Sequence, residues 1–144
     1  MKDMDDNIIF VKDGYKKVAK KYRKQKGLDL IQNRLFQKWM YHPQNSGRIL
    51  ELGCGSGFPV AKHILKKKEE YLGIDLSEIQ IQLAHESFPH MKNKFLQKEM
   101  LTYCRSEKKE SYTGIISFFT VRHLPRIYHV ELFSHIYRLL MPNG

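Results

Sequence analysis

Apolar residues recur at helical spacing over the first part of the chain. One helix is predicted from Gly14 to Lys26 by apolar and aromatic residues three or four positions apart: Tyr15, Val18, Ala19 and Tyr22. A second is predicted from about Leu28 to Met40, with one face formed by Leu28, Ile31, Leu35 and Trp39. Gly27 suits the end of the first helix, and residues 42–47, HPQNSG, predict a turn-rich linker.

After this linker, short apolar strands alternate with helices. The pattern predicts strands over residues 48–52, 71–75, 94–99 and 111–120, and helices over residues 58–68, 78–87 and 124–141. Pro59 and Pro125 suit the first turns of their helices, and Ser77 suits a helix N-cap. Residues 107–110 are predicted to be an exposed loop or a helix end. Strands that alternate with helices predict parallel pairing through right-handed crossovers, and therefore an α/β fold.

Charge and cysteine content narrow the function classes. The 144-residue chain has 25 Lys and Arg against 15 Asp and Glu, a net charge of +10, and a basic surface attracts nucleic acids and anionic membranes. Most of the excess is lysine, whereas arginine is expected at bidentate phosphate and base contacts. No apolar stretch reaches the ~20 residues of a membrane helix. Two cysteines cannot form a disulfide scaffold or a four-ligand zinc site, so we expect a cytoplasmic protein without a metal site.

A glycine-rich loop joins the first predicted strand to the next helix. In ELGCGSG, residues 51–57, the glycines allow positive φ and close backbone approach, and the helix start offers N–H groups to a ligand. Asp75 ends the following strand, where an acid can accept hydrogen bonds from the ribose hydroxyls of a nucleoside cofactor. The spacing disfavours a nicotinamide dinucleotide, because the third glycine of that motif falls on Phe58 or Val60.

These motifs resemble those of class I S-adenosylmethionine-dependent methyltransferases of the methyltransferase-domain type. ILELGCGSGFPVAKHIL and YLGIDLSEIQIQLA resemble the first two motifs, KFLQKEMLTY and YTGIISFFTVRHLP the third and fourth, and LLMPNG the turn before the fifth strand. The resemblance implies a Rossmann-like, doubly wound parallel sheet in the order 3-2-1-4, with helices on both faces, over residues 47–144. Residues 1–46, which include DGYKKVAKKYRKQ, would form a helical lid or cap over the cofactor. The implied cofactor is S-adenosylmethionine and the product S-adenosylhomocysteine.

The resemblance also assigns cofactor contacts residue by residue. In or beside the glycine loop they are Glu51, Gly53, Cys54, Gly55 and Gly57, and the glycines line the methionine part of the cofactor. Asp75 contacts the ribose, and the adenine is contacted by Leu76, Glu99 and Met100. Ser117 and Phe118 lie near the sulfonium, with Phe119 and Thr120 close behind, and the lid contributes Tyr15 and Tyr22. No catalytic residue is assigned. His123 is a candidate base, and its alternative role is to cap the turn before the helix that follows.

Three departures from the family pattern bear on these expectations. Glu99 stands where the family usually has an aspartate, and Thr113 stands where an aspartate usually precedes the fourth strand. The sequence also ends at Gly144, before the fifth strand and the other C-terminal strands of the family. The fourth strand is rich in Ile and Phe, which is typical of a strand covered on both faces. We therefore expect a second copy or another chain to cover its edge, or else a marginally stable domain.

The leading function is methyl transfer to a small-molecule acceptor by in-line displacement at the sulfonium. In such reactions the protein contributes positioning and desolvation. One alternative is a cofactor-binding fragment that is inactive alone or is completed by another chain. Another is a methyltransferase acting on RNA or another nucleic acid, which the basic charge favours.

Overall fold

The computed structural model describes residues 9–10, 14, 27–42, 47–67 and 70–144. Its α-helices are α1 (Leu30–Met40), α2 (Val60–Lys66), α3 (Glu78–Ser87), α4 (Met100–Ser106) and α5 (His129–Leu139). Its strands are β1 (Arg48–Leu52), β2 (Glu70–Asp75), β3 (Phe95–Gln97) and β4 (Gly114–Ile116). Tyr15 and Tyr22, and with them most of the first predicted helix, lie outside the described residues.

The strands form one parallel sheet with β1 near its centre. β1 pairs in parallel with β2 on one side and with β4 on the other, and β3 pairs in parallel with β2. The resulting order, β3-β2-β1-β4, confirms the predicted order 3-2-1-4. In this register Glu51 lies opposite Gly73 on β2 and opposite Ile116 on β4. Since the strands are parallel, the loops after β1, β2 and β4 lie together at the carboxyl ends of the strands.

Helices cover both faces of the sheet, as the doubly wound fold requires. One core cluster joins β1 and β2 to α1, α2 and α3 through Ile49, Tyr71, Phe36, Ile64 and Ala84. The opposite cluster joins the same strands to α4 and α5 through Leu50, Leu52, Leu101, Leu132 and Leu139. Neighbouring residues of β1 therefore belong to different clusters, and both are buried. Burial on both faces is typical of a central strand in a parallel sheet.

A capping box sets the start of α1. The Gln32 N–H donates to Asp29 Oδ1 at 2.8 Å, and the Asp29 N–H donates to Gln32 Oε1 at 3.2 Å. These two bonds satisfy backbone donors that the first turn leaves free. The helix therefore begins at Leu30, after its cap, rather than at the predicted Leu28.

Helix α4 was not predicted from the sequence. It is only seven residues long, and its buried positions are Leu101 and Cys104, too few to show a helical period. The side chain of Glu99 begins it by accepting the N–H groups of Leu101 and Thr102. The third predicted strand consequently shortens to Phe95–Gln97, since the residues that follow it belong to this cap.

The segment after β4 differs from its prediction. β4 ends at Ile116, and Phe119 has a φ of 63°, which turns the chain out of extended geometry. The predicted helix over residues 124–141 is divided into a 3-10 turn, Arg126–Tyr128, and α5. Pro125 has a ψ of 138°, so it precedes the helix instead of lying in its first turn. Pro59 likewise is the N-cap of α2, which begins at Val60.

No helix in the described part of the chain has the length and apolar character needed to cross a membrane. Within the same residues, no group of three or more His, Cys, Asp and Glu side chains is placed to hold a metal ion.

Candidate functional site

The glycine loop lies between β1 and α2, at the carboxyl ends of the parallel strands. The N–H groups of Gly53 and Cys54 donate to the Ile74 carbonyl at 2.8 and 3.0 Å, which ties the loop to β2. Gly53, Gly55 and Gly57 have φ values of 77°, 53° and 83°. Only glycine adopts such conformations at little cost, so this tight reversal requires the three predicted glycines.

Two of these glycines are also required by their neighbours. A Cβ at Gly53 would collide with the side chain of Thr120, which approaches from the segment after β4. A Cβ at Gly57 would lie 2.5 Å from the ring of Phe88. A Cβ at Gly55, in contrast, would meet only Gln80 Oε1 at 3.7 Å. The backbone at Gly55 is therefore the part of the loop that leaves most room for a ligand.

Asp75 connects the glycine loop to the start of α3. Its Oδ2 accepts the Gly55 N–H at 2.9 Å, and its Oδ1 accepts the Ser77 N–H at 2.8 Å. Burial raises the pKa of Asp75, and the two backbone bonds oppose that rise. A carboxylate has about four acceptor positions, so each oxygen can still accept one hydroxyl. Ser77 is the N-cap of α3, but its side chain makes no capping bond.

Glu51 lies beneath the loop, on β1, and is almost completely buried. The hydroxyl of Tyr71 donates to its Oε2 at 2.5 Å. Burial raises the pKa of Glu51 to about 8, the hydrogen bond from Tyr71 opposes that rise, and the nearby Asp75 adds to it. Burial and these two acids also raise the pKa of the Cys54 thiol, so Cys54 is protonated at neutral pH. This protonation removes it as a nucleophile.

The predicted adenine contacts lie at the β2–β3 end of the site. The Lys98 N–H donates to the Asp75 carbonyl at 2.9 Å, and this bond brings Glu99 close to the end of β2. Both carboxylate oxygens of Glu99 already accept N–H groups as the cap of α4. Leu76 accepts a bond from the Gln97 side chain through its carbonyl, and the half-buried Met100 packs against the α4–α5 core cluster.

The segment after β4 forms the other wall of the site. Ser117 Oγ donates to the Leu52 carbonyl at 2.9 Å, and Thr120 Oγ1 donates to the Gly53 carbonyl at 3.4 Å. The Phe118 ring packs edge-on against Phe36 of α1, with ring centroids 6.2 Å apart. The neighbouring Phe119 is 40 % exposed. These bonds bring the predicted sulfonium-side residues together with the glycine loop.

Three residues of the site were missed by the sequence reasoning. Gln80 is buried on α3 and faces Gly55, Tyr71 holds Glu51, and Phe36 packs on Phe118. A glutamine on the otherwise apolar inward face of α3 is a signal that could have revealed Gln80. His123, the candidate base, is half-buried in the 3-10 turn Val121–His123, and its backbone N–H donates to the Thr120 carbonyl at 2.9 Å.

Comparison with known proteins agrees with this geometry. A protein family described as "Methyltransferase domain" matches residues 49–144. The mRNA cap guanine-N(7) methyltransferase of Candida glabrata is 39 % identical over 54 residues, which are 38 % of this chain and 13 % of that protein.

Solved structures give the same fold. An S-adenosylmethionine-dependent methyltransferase from Archaeoglobus fulgidus superposes with a TM-score of 0.61 at 24 % identity, covering 78 % of this chain and 48 % of that one. Magnesium protoporphyrin IX methyltransferase from Synechocystis, solved with bound S-adenosylmethionine, gives a TM-score of 0.64 at 16 % identity, covering 93 % and 72 %. The chain thus spans about half the length of the Archaeoglobus protein and a small part of the curated relative.

The family match includes the glycine loop, Asp75 and the segment after β4. It confirms the resemblance to class I S-adenosylmethionine-dependent methyltransferases, and the structural neighbours share the fold. By this match over residues 49–144, the chain belongs to the methyltransferase domain family.

Proposed function

We propose that the glycine loop and the ends of β2, β3 and β4 bind S-adenosylmethionine, and that the protein transfers its methyl group to a small organic acceptor. The observation that carries this proposal is the position of Asp75. It joins Gly55 to Ser77 through one bond from each carboxylate oxygen, and so stands between the loop and α3. The second acceptor position on each oxygen suits the two ribose hydroxyls.

The remaining site residues fit the other parts of the cofactor. Gly55 leaves open space for the methionine part, above the buried Glu51. Leu76, Glu99 and Met100 are proposed to hold the adenine. Leu76 follows Asp75 directly, and the bond from the Lys98 N–H to the Asp75 carbonyl brings the start of α4 close to the end of β2. Ser117 and Phe118 are proposed to border the reacting centre, where Phe36 and Phe118 form an apolar wall.

The chemistry needs little from the chain beyond placement. S-adenosylmethionine supplies an electrophilic methyl group when it is bound. The apolar wall of Phe36 and Phe118 excludes water from the reacting centre, and the loop fixes the direction of approach. We assign no catalytic base. An acceptor with an available lone pair therefore suits the site best.

A second candidate acceptor is RNA, specifically a cap guanine. It is favoured by the local match to the cap methyltransferase of Candida glabrata and by the net charge of +10. The small-molecule acceptor is preferred because lysine dominates that charge, whereas arginine is typical of base and phosphate recognition.

Calorimetric titration tests the cofactor assignment. We expect saturable binding of S-adenosylmethionine and S-adenosylhomocysteine at one site, and no comparable binding of a nicotinamide dinucleotide. Tight dinucleotide binding, or no binding of either sulfur nucleoside, would refute the assignment. Transfer of a radiolabelled methyl group to a panel of small amines, thiols and carboxylates, run beside capped RNA, then separates the two acceptors. Preferential labelling of capped RNA would establish the second candidate.

A further inference from the structure

Tyr71 and Glu51 form a buried pair across two neighbouring strands, directly below the glycine loop. The Tyr71 hydroxyl donates to Glu51 Oε2 at 2.5 Å, and both residues are at most 4 % exposed. A buried carboxylate needs such partners, since the free energy of an unpaired buried charge is high.

The sheet is built to allow this contact. Tyr71 and Gly73 point to the same face of β2, and Gly73 lies opposite Glu51 in the register. A Cβ at Gly73 would collide with the Tyr71 hydroxyl and would lie 2.7 Å from Cys54 Cβ. The missing side chain at Gly73 therefore opens the path along which Tyr71 reaches Glu51.

Packed aromatic rings connect the ring of Tyr71 to the loop. The Tyr71 ring packs on Phe95 with centroids 5.7 Å apart, and Phe95 stacks on Phe88 at 5.3 Å. Phe88 in turn fills the space above Gly57, where a Cβ would lie 2.5 Å from it. Tyr71 thus contacts Glu51 through its hydroxyl and is connected to the end of the glycine loop through Phe95 and Phe88.

The groups that act on Glu51 come from β2. They are Tyr71, which stabilises the carboxylate, and Asp75, whose negative charge opposes it. The neighbouring Cys54 thiol of the loop is uncharged at neutral pH. From α1, α2 and α3 the same cluster receives apolar side chains, Phe36, Val60 and Ile81, and from β4 Ile116. Because burial raises the pKa of Glu51 to about 8, the free protein holds it mostly protonated at pH 7.

We propose that Tyr71 is a positioning residue of the cofactor site, whose hydroxyl holds the Glu51 carboxylate under the glycine loop in the orientation that receives the cationic end of S-adenosylmethionine. This inference rests on the proposed function. A cation beside Glu51 favours its ionised form, so cofactor binding at neutral pH releases a proton. Affinity then rises with pH through the range in which free Glu51 ionises. Loss of the Tyr71 bond moves that range to higher pH, because the bond favours the carboxylate.

Titration of S-adenosylhomocysteine between pH 6 and 9 in two buffers of different ionisation enthalpy tests this inference. We expect the wild-type protein to release a proton on binding at pH 7. For Tyr71→Phe we expect affinity at pH 7 to fall by roughly tenfold, the effect of one hydrogen bond to a charged group. The midpoint of its pH dependence should move upward. In Glu51→Gln the proton release and the pH dependence should disappear, and adding Tyr71→Phe to it should cause no further loss.

Tyr112→Phe is the matched control. Tyr112 is also a buried tyrosine bonded to a glutamate, at 3.0 Å from Glu107, but it belongs to the α4–α5 core cluster on the other face. It should leave the affinity and its pH dependence unchanged. An equal loss from Tyr71→Phe with and without Glu51, an unmoved midpoint, or no proton release by the wild-type protein would overturn the inference. Absence of proton release by the wild-type protein overturns the inference even if Tyr71→Phe fails to fold. A wild-type protein that binds no S-adenosylhomocysteine would overturn the proposed function itself.

Discussion

The Asp75 carboxylate holds together the two backbone segments that border the candidate site. It accepts one N–H from the glycine loop and one from the start of α3, and these segments are 20 and 2 residues away along the chain. Such bonds to a charged acceptor are stronger than neutral ones. The same carboxylate is proposed to receive the ribose, so its loss affects the shape of the loop as well as a ligand contact.

Asp75→Ala should weaken S-adenosylmethionine binding by about tenfold or more, since each hydrogen bond to a charged acceptor contributes about 1.5–3 kcal/mol. Calorimetric titration measures the loss. Asp29→Ala is the matched control, because Asp29 caps α1 and is exposed. It should reduce stability slightly and leave binding intact. Equal affinity of Asp75→Ala and the wild type would remove Asp75 from the site.

Gly73→Ala should lower the free energy of unfolding by about 1–3 kcal/mol, the usual effect of overpacking a core. The added methyl group would collide with the Tyr71 hydroxyl and crowd Cys54. Gly27→Ala is the control, since a Cβ there meets nothing within 4 Å. Denaturant unfolding followed by circular dichroism compares the two. Similar stability for both variants would mean that Tyr71 moves aside without cost, against the packing described for the pair.

Helix α4 shows how a short element depends on one side chain. Glu99 accepts the N–H groups of Leu101 and Thr102 at 2.8 and 2.7 Å, which satisfies two of the free donors in the first turn. The helix has only seven residues, and its two buried side chains are Leu101 and Cys104. Its cap is therefore a large part of what stabilises it.

Glu99→Ala should lower the free energy of unfolding by about 1 kcal/mol, the typical effect of a lost N-cap. Thermal or urea unfolding measures it. Glu70→Ala removes an exposed acid at the start of β2 and serves as the control. If Glu99 also holds the adenine, its variant will bind S-adenosylmethionine more weakly than the Glu70 variant does. Unaltered stability of Glu99→Ala would contradict the capping role.

A second group of side chains joins the segment before β4 to α4 and α5, at the opposite end of the sheet. Tyr103 and Tyr112 both donate to Glu107 Oε2, at 2.5 and 3.0 Å, and Arg138 donates to the Glu107 carbonyl at 2.9 Å. Partial burial by itself raises the pKa of Glu107, but the bonds from Tyr103, the Lys108 N–H and Tyr112, with the nearby Arg48, outweigh it and lower the pKa overall.

The lowered pKa of Glu107 predicts an acid-sensitive contribution to stability. The contribution is fully present above the unfolded value of about 4.5 and is lost as the pH falls through the lower folded value. In Glu107→Gln the unfolding free energy should therefore depend less on pH below about 4.5 than in the wild type. Glu110→Gln changes an exposed neighbour and should keep the wild-type dependence. Parallel acid curves for all three proteins would argue against the role of Glu107.

At the scale of the whole molecule, β4 forms an edge of the sheet. Among the described residues, one isolated β-bridge lies next to this strand, between Tyr112 and Leu140. Ile115 and Ile116 are half-buried, although residues of this kind are usual in strands covered on both sides. That another chain covers this edge stays a prediction.

An exposed strand edge with apolar residues pairs readily with other chains. We therefore expect light scattering to give a mass above 17.1 kDa that rises with concentration, or a monomer with a low melting temperature. A methyl-transfer assay on the same preparation relates the assembly to activity. A stable monomer with a high melting temperature and ordinary turnover would contradict the expectation.

Much of the architecture followed from residues that are neighbours along the chain. β1 was predicted with its observed bounds, α3 likewise, and the glycine loop and Asp75 were placed correctly at the ends of β1 and β2. Periodicity and glycine spacing are local properties, and parallel pairing follows from alternating strands and helices. The sheet order and the site contacts were expected from the resemblance of these same motifs to a known family.

The tertiary structure alone decided what depends on residues that meet only in space. The Tyr71–Glu51 bond joins positions 20 residues apart, and Ser117 meets the Leu52 carbonyl across 65 residues. The end of β4 also differs from the predicted pattern, because there the bonds from Ser117 and Thr120 to the Leu52 and Gly53 carbonyls outweigh weak local preferences. Periodicity along the chain records which side of an element is buried, but not which side chain it meets there.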